Sequence, residues 1–367
     1  MAEIHGTCDD RFGRVRDTFA ASLDEDDVGA SVAVYVDGEP VVDLWGGHVD
    51  AARTTPWERD TIVNVWSTTK TMVALCALML ADRGVIDLDA PVAEYWPEFA
   101  AAGKGGVRVR HVLGYTAGLP TWTEPITVPD LFDWEDATAR LAAQPARWAP
   151  GAVGCYHPLT QGFLIGEVIR RVTGRGLGAF FAEEVAGPLG ADFHIGLPAE
   201  HDHRVAPVIP PPGTSDFAAP GLDGEEPNPV IVAQDANTTA WRRAEIPSAG
   251  GHGNARSVGL VQSVLACGGA VGGVRLLSEA GCRRVLEEQF RGVDHYLDVP
   301  IRYGLGYRVE GRTCSWGGWG GSVVVVDLDT RLTVAYAMNQ MLQQGTMGDN
   351  RGLGIVLAAY GGLATSA

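Results

Sequence analysis

Lysine is nearly missing from this chain: of 28 basic side chains only two are lysines, Lys70 and Lys104, and the rest are arginines. Positive charge is short overall, 28 against 45 acidic side chains, and the net charge of −17 excludes nucleic acid and an anionic membrane surface as expected partners. The six cysteines (Cys8, Cys76, Cys155, Cys267, Cys282, Cys314) include no CxxC pair, so no disulfide framework is expected and a reducing, cytoplasmic setting is. Long apolar runs are missing too. The longest, Met72 to Ala81, has roughly half the ~20 residues a spanning helix needs. The N-terminus MAEIHGTCDDRFGRVRD lacks the apolar core of a signal segment, so export is not expected. No G-x-S-x-G offers a nucleophile elbow, and no G-x-G-x-x-G or G-x-x-x-x-G-K-[ST] offers a phosphate cradle.

What is present suits one large domain or two. A length of 367 residues with 46% hydrophobic and 20% charged content supplies a sizeable core. Residues 9–24 have the pattern of an amphipathic helix, and residues 30–46 alternate around a DGE turn as a β-hairpin does. Thr61 to Val65 reads as a short strand and Ser67 to Arg83 as a buried helix stopped by Gly84. From about 88 to 200 helical pieces alternate with Gly and Pro. Residues 204–230 form a Pro/Gly-rich loop long enough to suggest a functional or mobile segment. Two helices follow, and then a meander through YGLGYRVEG, TCSWGG, GSVVVVDLD and RLTVAYAMNQ. Strands at both ends with helices between predict an α/β (α+β) architecture: one antiparallel sheet built from both termini and flanked by helices. Residues 1–85 and 240–367 would form that lobe, and residues 86–239 an inserted helical lobe.

Lys70 is the residue that a solvated-surface account handles least well. If a helix starts at Ser67, a spacing of three puts both side chains on one face. The helix N-terminus and the neighbours Trp66, Met72 and Val73 disfavour an ammonium there. A neutral amine beside a hydroxyl is a general base beside a nucleophile, and the Ser67 N–H at the helix start could receive an oxyanion. A bare S-x-x-K also recurs by accident, as a solvated lysine in an ordinary first turn. Two further stretches bear on the choice. In PGAVGCYHPLTQ, Tyr156 sits where a Gly-rich turn meets a helix, and TCSWGGWGGSVVVV is a Gly-dense strand, the mark of close approach by a backbone or ligand. Singly, a packing tyrosine and a tight hairpin explain them as well.

Taken in order, the three stretches resemble the serine β-lactamase and penicillin-binding-protein superfamily. The likeness extends to DTIVNVWSTTKTM, LADRGVIDLDAPVAEYWPEF, VRHVLGYTAGLP, PSAGGHGNARSVG and the terminal strands, covering most of residues 28–345. It is nearest to the class C-like branch, and within it to the family VIII carboxylesterases. The resemblance implies a β-lactamase-like fold. It also implies Ser67 as nucleophile, Lys70 as its base and Tyr156 as the proton-shuttling tyrosine. Trp316-Gly317-Gly318 stands at the place of K-T-G, and the backbone N–H groups of Ser67 and Trp319 form the oxyanion pair. Two departures matter: Pro158 replaces the Asn of Tyr-x-Asn, and Trp316 replaces the lysine of K-T-G. Both remove partners for a β-lactam and favour a small neutral ester.

His157, beside the tyrosine, would line the cleft or merely cap a turn, and Trp122, Trp241 and Trp319 would line the pocket or the core. His252 is read as structural, and His201-Asp202-His203 as a polar loop rather than a metal site. The expectation is therefore a serine hydrolase acting on small-molecule esters through an acyl-Ser67, without metal or cofactor. An amide or lactam hydrolase, an acyltransferase and an idle acyl-binding relative are the alternatives. The oligomeric state is open.

Overall fold

A computed structural model describes residues 3–214, 218–343 and 348–364. Its main sheet has nine antiparallel strands from both ends of the chain. In spatial order they are Ile4–Cys8, Glu39–Gly47, Gly29–Val36, Leu332–Met338, Val323–Asp327, Thr313–Gly317, Arg308–Glu310, Pro300–Tyr303 and Phe290–Val293. The expected hairpin forms with Asp37 and Gly38 both at positive φ, the backbone a tight two-residue turn requires. The first strand and the helix Asn350–Ala364 were not anticipated: the former reads as polar, with an exposed middle, and its pairing with Glu39–Gly47 decides its state.

Every residue of Leu332–Met338 is buried, which requires cover on both faces of the sheet. On one face lies the helix Ala255–Ala266, which meets Ser31 and Tyr35 through Ala255 N–H to Ser31 Oγ (3.0 Å) and Tyr35 O–H to Arg256 O (3.1 Å). On the other lie Gly13–Glu25 and Asn350–Ala364, packed on each other, with Gly352 of the second helix against Tyr336. Asp27 ties this layer together. It is fully buried and takes hydrogen bonds from Tyr336 O–H (2.7 Å), Ser22 O–H (2.5 Å) and Arg351 Nη1 (2.7 Å).

The helix Thr69–Asp82 is buried on all sides, as its run TKTMVALCALML requires. It packs against Thr160–Thr173, Leu177–Phe181 and Glu279–Arg283. A second, four-stranded sheet corrects the expectation of a single one. Its order is Phe193–Ile195, Gly251–Gly253, Ile62–Asn64 and Val205–Ala206. Strands of two or three residues carry too little alternation to be read from sequence. Among the described residues no helix is long and apolar enough to cross a membrane.

Lys104, the other lysine, caps a helix. It donates to Ala101 O and Ala142 O (both 2.8 Å) and to Gln144 O, where Trp134–Ala143 ends, and burial lowers its pKa to about 8.

Removing Asp27 takes the shared acceptor from the buried Tyr336 and Ser22 hydroxyls and from Arg351 Nη1, while Asp349 still pairs with the guanidinium. Asp27→Ala is expected to cost about 3 kcal/mol, the order expected when several buried donors lose one acceptor, as measured by urea unfolding.

Candidate active site

The chain enters the site through the strand Ile62–Asn64 and makes a sharp turn. Trp66 takes a left-handed backbone (φ 47°), costly for a bulky residue, and the turn is held by Trp66 N–H to Asn64 Oδ1 at 3.0 Å. Thr69 O–H to Trp66 O (2.5 Å) and Gly251 N–H to Thr69 Oγ1 (2.9 Å) lock the next residues. This places Ser67 in a short 3-10 turn directly before Thr69–Asp82, one turn below Lys70.

Lys70 is 0% exposed and, among the described residues, pairs with no carboxylate. Its Nζ lies 2.6 Å from Pro158 O, 3.0 Å from Ser248 O and 3.0 Å from Ser67 Oγ. Burial holds its pKa well below the ordinary lysine range. A neutral amine has two N–H bonds and one lone pair. The two carbonyls can accept the N–H bonds, which leaves the lone pair facing the serine hydroxyl. Tyr156 O–H donates to Ser67 Oγ at 2.6 Å, and Nζ sits 4.8 Å over the tyrosine ring. Burial is the largest influence on Tyr156 and raises its pKa, so the phenol keeps its proton at neutral pH.

The turn that carries Trp319 is pressed against the segment that leads into Ser67. A Cβ on Gly318 would stand 2.3 Å from both Val65 O and Ser322 Oγ. Ser322 O–H donates to Val65 O at 2.8 Å. Trp319 stacks edge-on against Trp66, with ring centroids 4.9 Å apart.

Ser67 opens into a cavity of about 280 Å³. Trp122, Leu159, Leu222 and Ile231 give it a buried apolar interior, while Arg147, Glu225 and Glu226 line its less buried side. Residues 219–231 supply one wall, so part of the Pro/Gly-rich segment roofs the site; residues 215–217 of that segment lie outside the described residues. Asn228 pins the roof, accepting from Ile126 N–H and donating to Trp122 O and Glu124 O, each at 2.9 Å.

Of the residues singled out from sequence, Ser67, Tyr156, Pro158, Trp122 and Trp319 line the cavity. Trp316, Gly317, Gly318 and His157 do not. Trp316 lies behind Tyr156, stacked on Tyr115 at 5.0 Å, a buried prop rather than a wall. His157 is a strut whose Nδ1–H donates to Cys155 O (2.6 Å) while Nε2 accepts from Leu119 N–H (3.2 Å), and burial lowers its pKa to about 4. Trp241 is buried behind Trp66. His252 sits mid-strand opposite Asn64 and His194, bonded to Gly250 O. Asp202 is held by Arg242 and Arg243, and among the described residues no group of three or more His, Cys, Asp or Glu side chains could hold a metal ion.

Sequence reasoning missed the carbonyls of Pro158 and Ser248. Main-chain acceptors carry no residue-type signal. It also missed Tyr296, which meets Tyr156 edge-on at 5.8 Å and donates to Pro220 O of the roof.

Comparison with known proteins bears on the fold and the family. The crystal structure of a family VIII carboxylesterase superposes with a TM-score of 0.91 at 42% identity, covering 98% of this chain and 99% of that one. A penicillin-binding-protein homologue from Caulobacter crescentus gives 0.90 at 35% identity over 98% and 100%. The esterase/beta-lactamase LipL of Mycobacterium tuberculosis is 35% identical over 95% of this chain and 86% of its own length. The family model described as Beta-lactamase matches residues 15–358, and the chain belongs to that family.

Proposed function

We propose that the protein is a serine hydrolase that cleaves carboxylic esters of small neutral acids through an acyl-Ser67 intermediate. The observation that carries this reading is the Lys70 amine, buried without a counter-charge and aimed at Ser67 Oγ. The apolar cavity above Ser67 and the family VIII carboxylesterase likeness support the ester preference.

Lys70 Nζ takes the Ser67 proton as Oγ attacks the acyl carbon, and the carbonyl oxygen becomes an oxyanion facing the Ser67 and Trp319 N–H groups. Tyr156 then gives its proton to the departing alkoxide, and its phenolate is offset by the new Lys70 ammonium beside its ring. In the second half the phenolate takes a proton from water, and the resulting hydroxide attacks the acyl-enzyme. Ser67 Oγ leaves with the proton held by Lys70, so both groups end as they began. On this reading residues 1–85 and 240–367 supply Ser67, Lys70, Ser248 and Trp319. Residues 86–239 supply Tyr156, Pro158 and the roof.

A fluorophosphonate is expected to add once, seen by intact mass, and Ser67→Ala to abolish the adduct. Lys70→Ala and Tyr156→Phe should each lower kcat at least about a hundredfold, with losses far from additive in the double variant. Normal turnover in folded Tyr156→Phe would remove the tyrosine from the mechanism.

Because the folded site lowers the Lys70 pKa, the neutral base is present at lower pH than for an ordinary lysine, and kcat/KM falls as pH drops through that lowered value. The raised Tyr156 pKa keeps the acid protonated into the alkaline range, so the profile should lack a limb near the ordinary tyrosine value. A profile rising towards the ordinary lysine pKa would contradict the neutral-amine mechanism.

A penicillin or cephalosporin presents a carboxylate and an amide, while Trp316 is buried behind Tyr156 and Pro158 has no side-chain donor. Missing both contacts should cost on the order of a thousandfold in affinity. p-Nitrophenyl butyrate is expected to exceed nitrocefin clearly in kcat/KM, and the reverse order would restore the lactam reading.

A further inference from the structure

We infer that Arg351, on the C-terminal helix, is a positioning residue that aims the Trp319 N–H at the oxyanion. The inference rests on the proposed serine-hydrolase mechanism and on Trp319 as the second donor. Arg351 is almost wholly buried. It donates to Gly320 O at 2.8 Å and Gln340 O at 3.0 Å, and is neutralised by Asp27 and Asp349 at 2.7 and 2.6 Å. Gly320 O also accepts from Leu342 N–H at 3.1 Å, so the carbonyl is held from two sides.

The direction then passes through two peptide planes. A trans peptide is planar, with its N–H pointing opposite to its C=O. Fixing Gly320 C=O therefore fixes the Gly321 N–H, which donates to Gly318 O at 3.2 Å. That bond fixes Gly318 C=O, and with it the opposite N–H of the same plane, that of Trp319. The turn is closed by Gly318 N–H to Ser322 O at 2.7 Å. Gly320 and Gly321 have φ of +90° and +136°, and a Cβ on Gly321 would lie 2.4 Å from Arg351 Nη2 and 2.3 Å from Asp349 Oδ2. The guanidinium is thus seated directly on the turn, and the glycines make room for it.

Arg351→Lys keeps the charge that Asp27 and Asp349 need but replaces a fork of donors with one compact ammonium. With active sites counted by fluorophosphonate, kcat on p-nitrophenyl butyrate should fall about ten- to a hundredfold, less than deletion of an oxyanion donor outright. KM should stay within about threefold, as expected for an interaction made in the transition state. Affinity for butylboronic acid should fall in step with kcat. Ser67 Oγ adds to its boron, the serine proton passes to Lys70, and the tetrahedral adduct puts an oxygen before the Trp319 N–H. Asp349→Asn is the control. It removes a counter-charge yet keeps the Arg351–Gly320 contact and a helix-capping side chain, so Tm should drop while kcat per labelled site stays within about threefold. If Arg351→Lys does not accumulate folded, Asp349→Asn/Arg351→Gln removes one charge of each sign and is read in the same way. Normal kcat per site and normal boronate affinity without Arg351 would overturn the inference. So would an Asp349→Asn loss equal to that of Arg351→Lys, because the effect would then follow stability rather than the contact. Failure of the wild-type chain to take the fluorophosphonate at all would instead remove the hydrolase reading beneath it.

Discussion

A primary amine held out of water between two carbonyls and a serine hydroxyl is the constraint around which the rest of this molecule is arranged. Taking Lys70 into the core costs free energy as an ammonium, and the fold makes no offer of a carboxylate to recover it. Instead two segments remote in sequence bring Pro158 O and Ser248 O to the nitrogen. That requirement couples three parts of the chain. The helix Thr69–Asp82 must be buried on every side, the turn after Tyr156 must pass over it, and the segment before Gly251–Gly253 must close from the third direction. Ser248 does double duty here, since its Oγ also accepts from Gly162 N–H at 2.8 Å and fixes the start of the helix after Tyr156.

The parts legible in the sequence were those that depend on side-chain type. Ser67 and Lys70 share a face by their spacing, while Tyr156 was joined to them by the resemblance to the serine β-lactamase superfamily, and Lys70 Nζ and Tyr156 O–H both stand within hydrogen-bond reach of Ser67 Oγ. The hairpin at residues 29–47 and the buried helix after Ser67 followed from periodicity and turn residues. What was not legible depends on the main chain or on long-range pairing. The carbonyls around Lys70 have no residue signature, the second sheet is made of strands too short to show a period, and the N-terminal strand is defined by its partner alone. Trp316 and His157 illustrate a different limit. Motif position located them near Tyr156 correctly, but only packing distinguishes the surface of a cavity from the layer behind it.

The aromatic layer behind Tyr156 has a mechanical role that its composition explains. Tyr115, Tyr303 and Trp316 are each buried and in ring contact with one another, and Tyr303 O–H donates to the buried Asp294 at 2.7 Å. Large rigid rings with few rotatable bonds fix the Tyr156 ring at little entropic cost. Asp294 in turn accepts from Tyr296 N–H (2.9 Å) and Leu297 N–H (2.7 Å), shaping the loop that carries Tyr296 to the roof. The Tyr156 ring and the cover of the cavity therefore share one support.

The scarcity of lysine has a practical side. Both side-chain amines are in the interior, Lys70 beneath the serine and Lys104 at the end of a helix, each surrounded by carbonyl oxygens. The exterior consequently presents no lysine amine to acylating dyes, aldehyde fixatives or amine-reactive beads. Attachment chemistry aimed at lysine would pass over the folded protein, whereas carbodiimide coupling through its 45 acidic side chains has abundant handles.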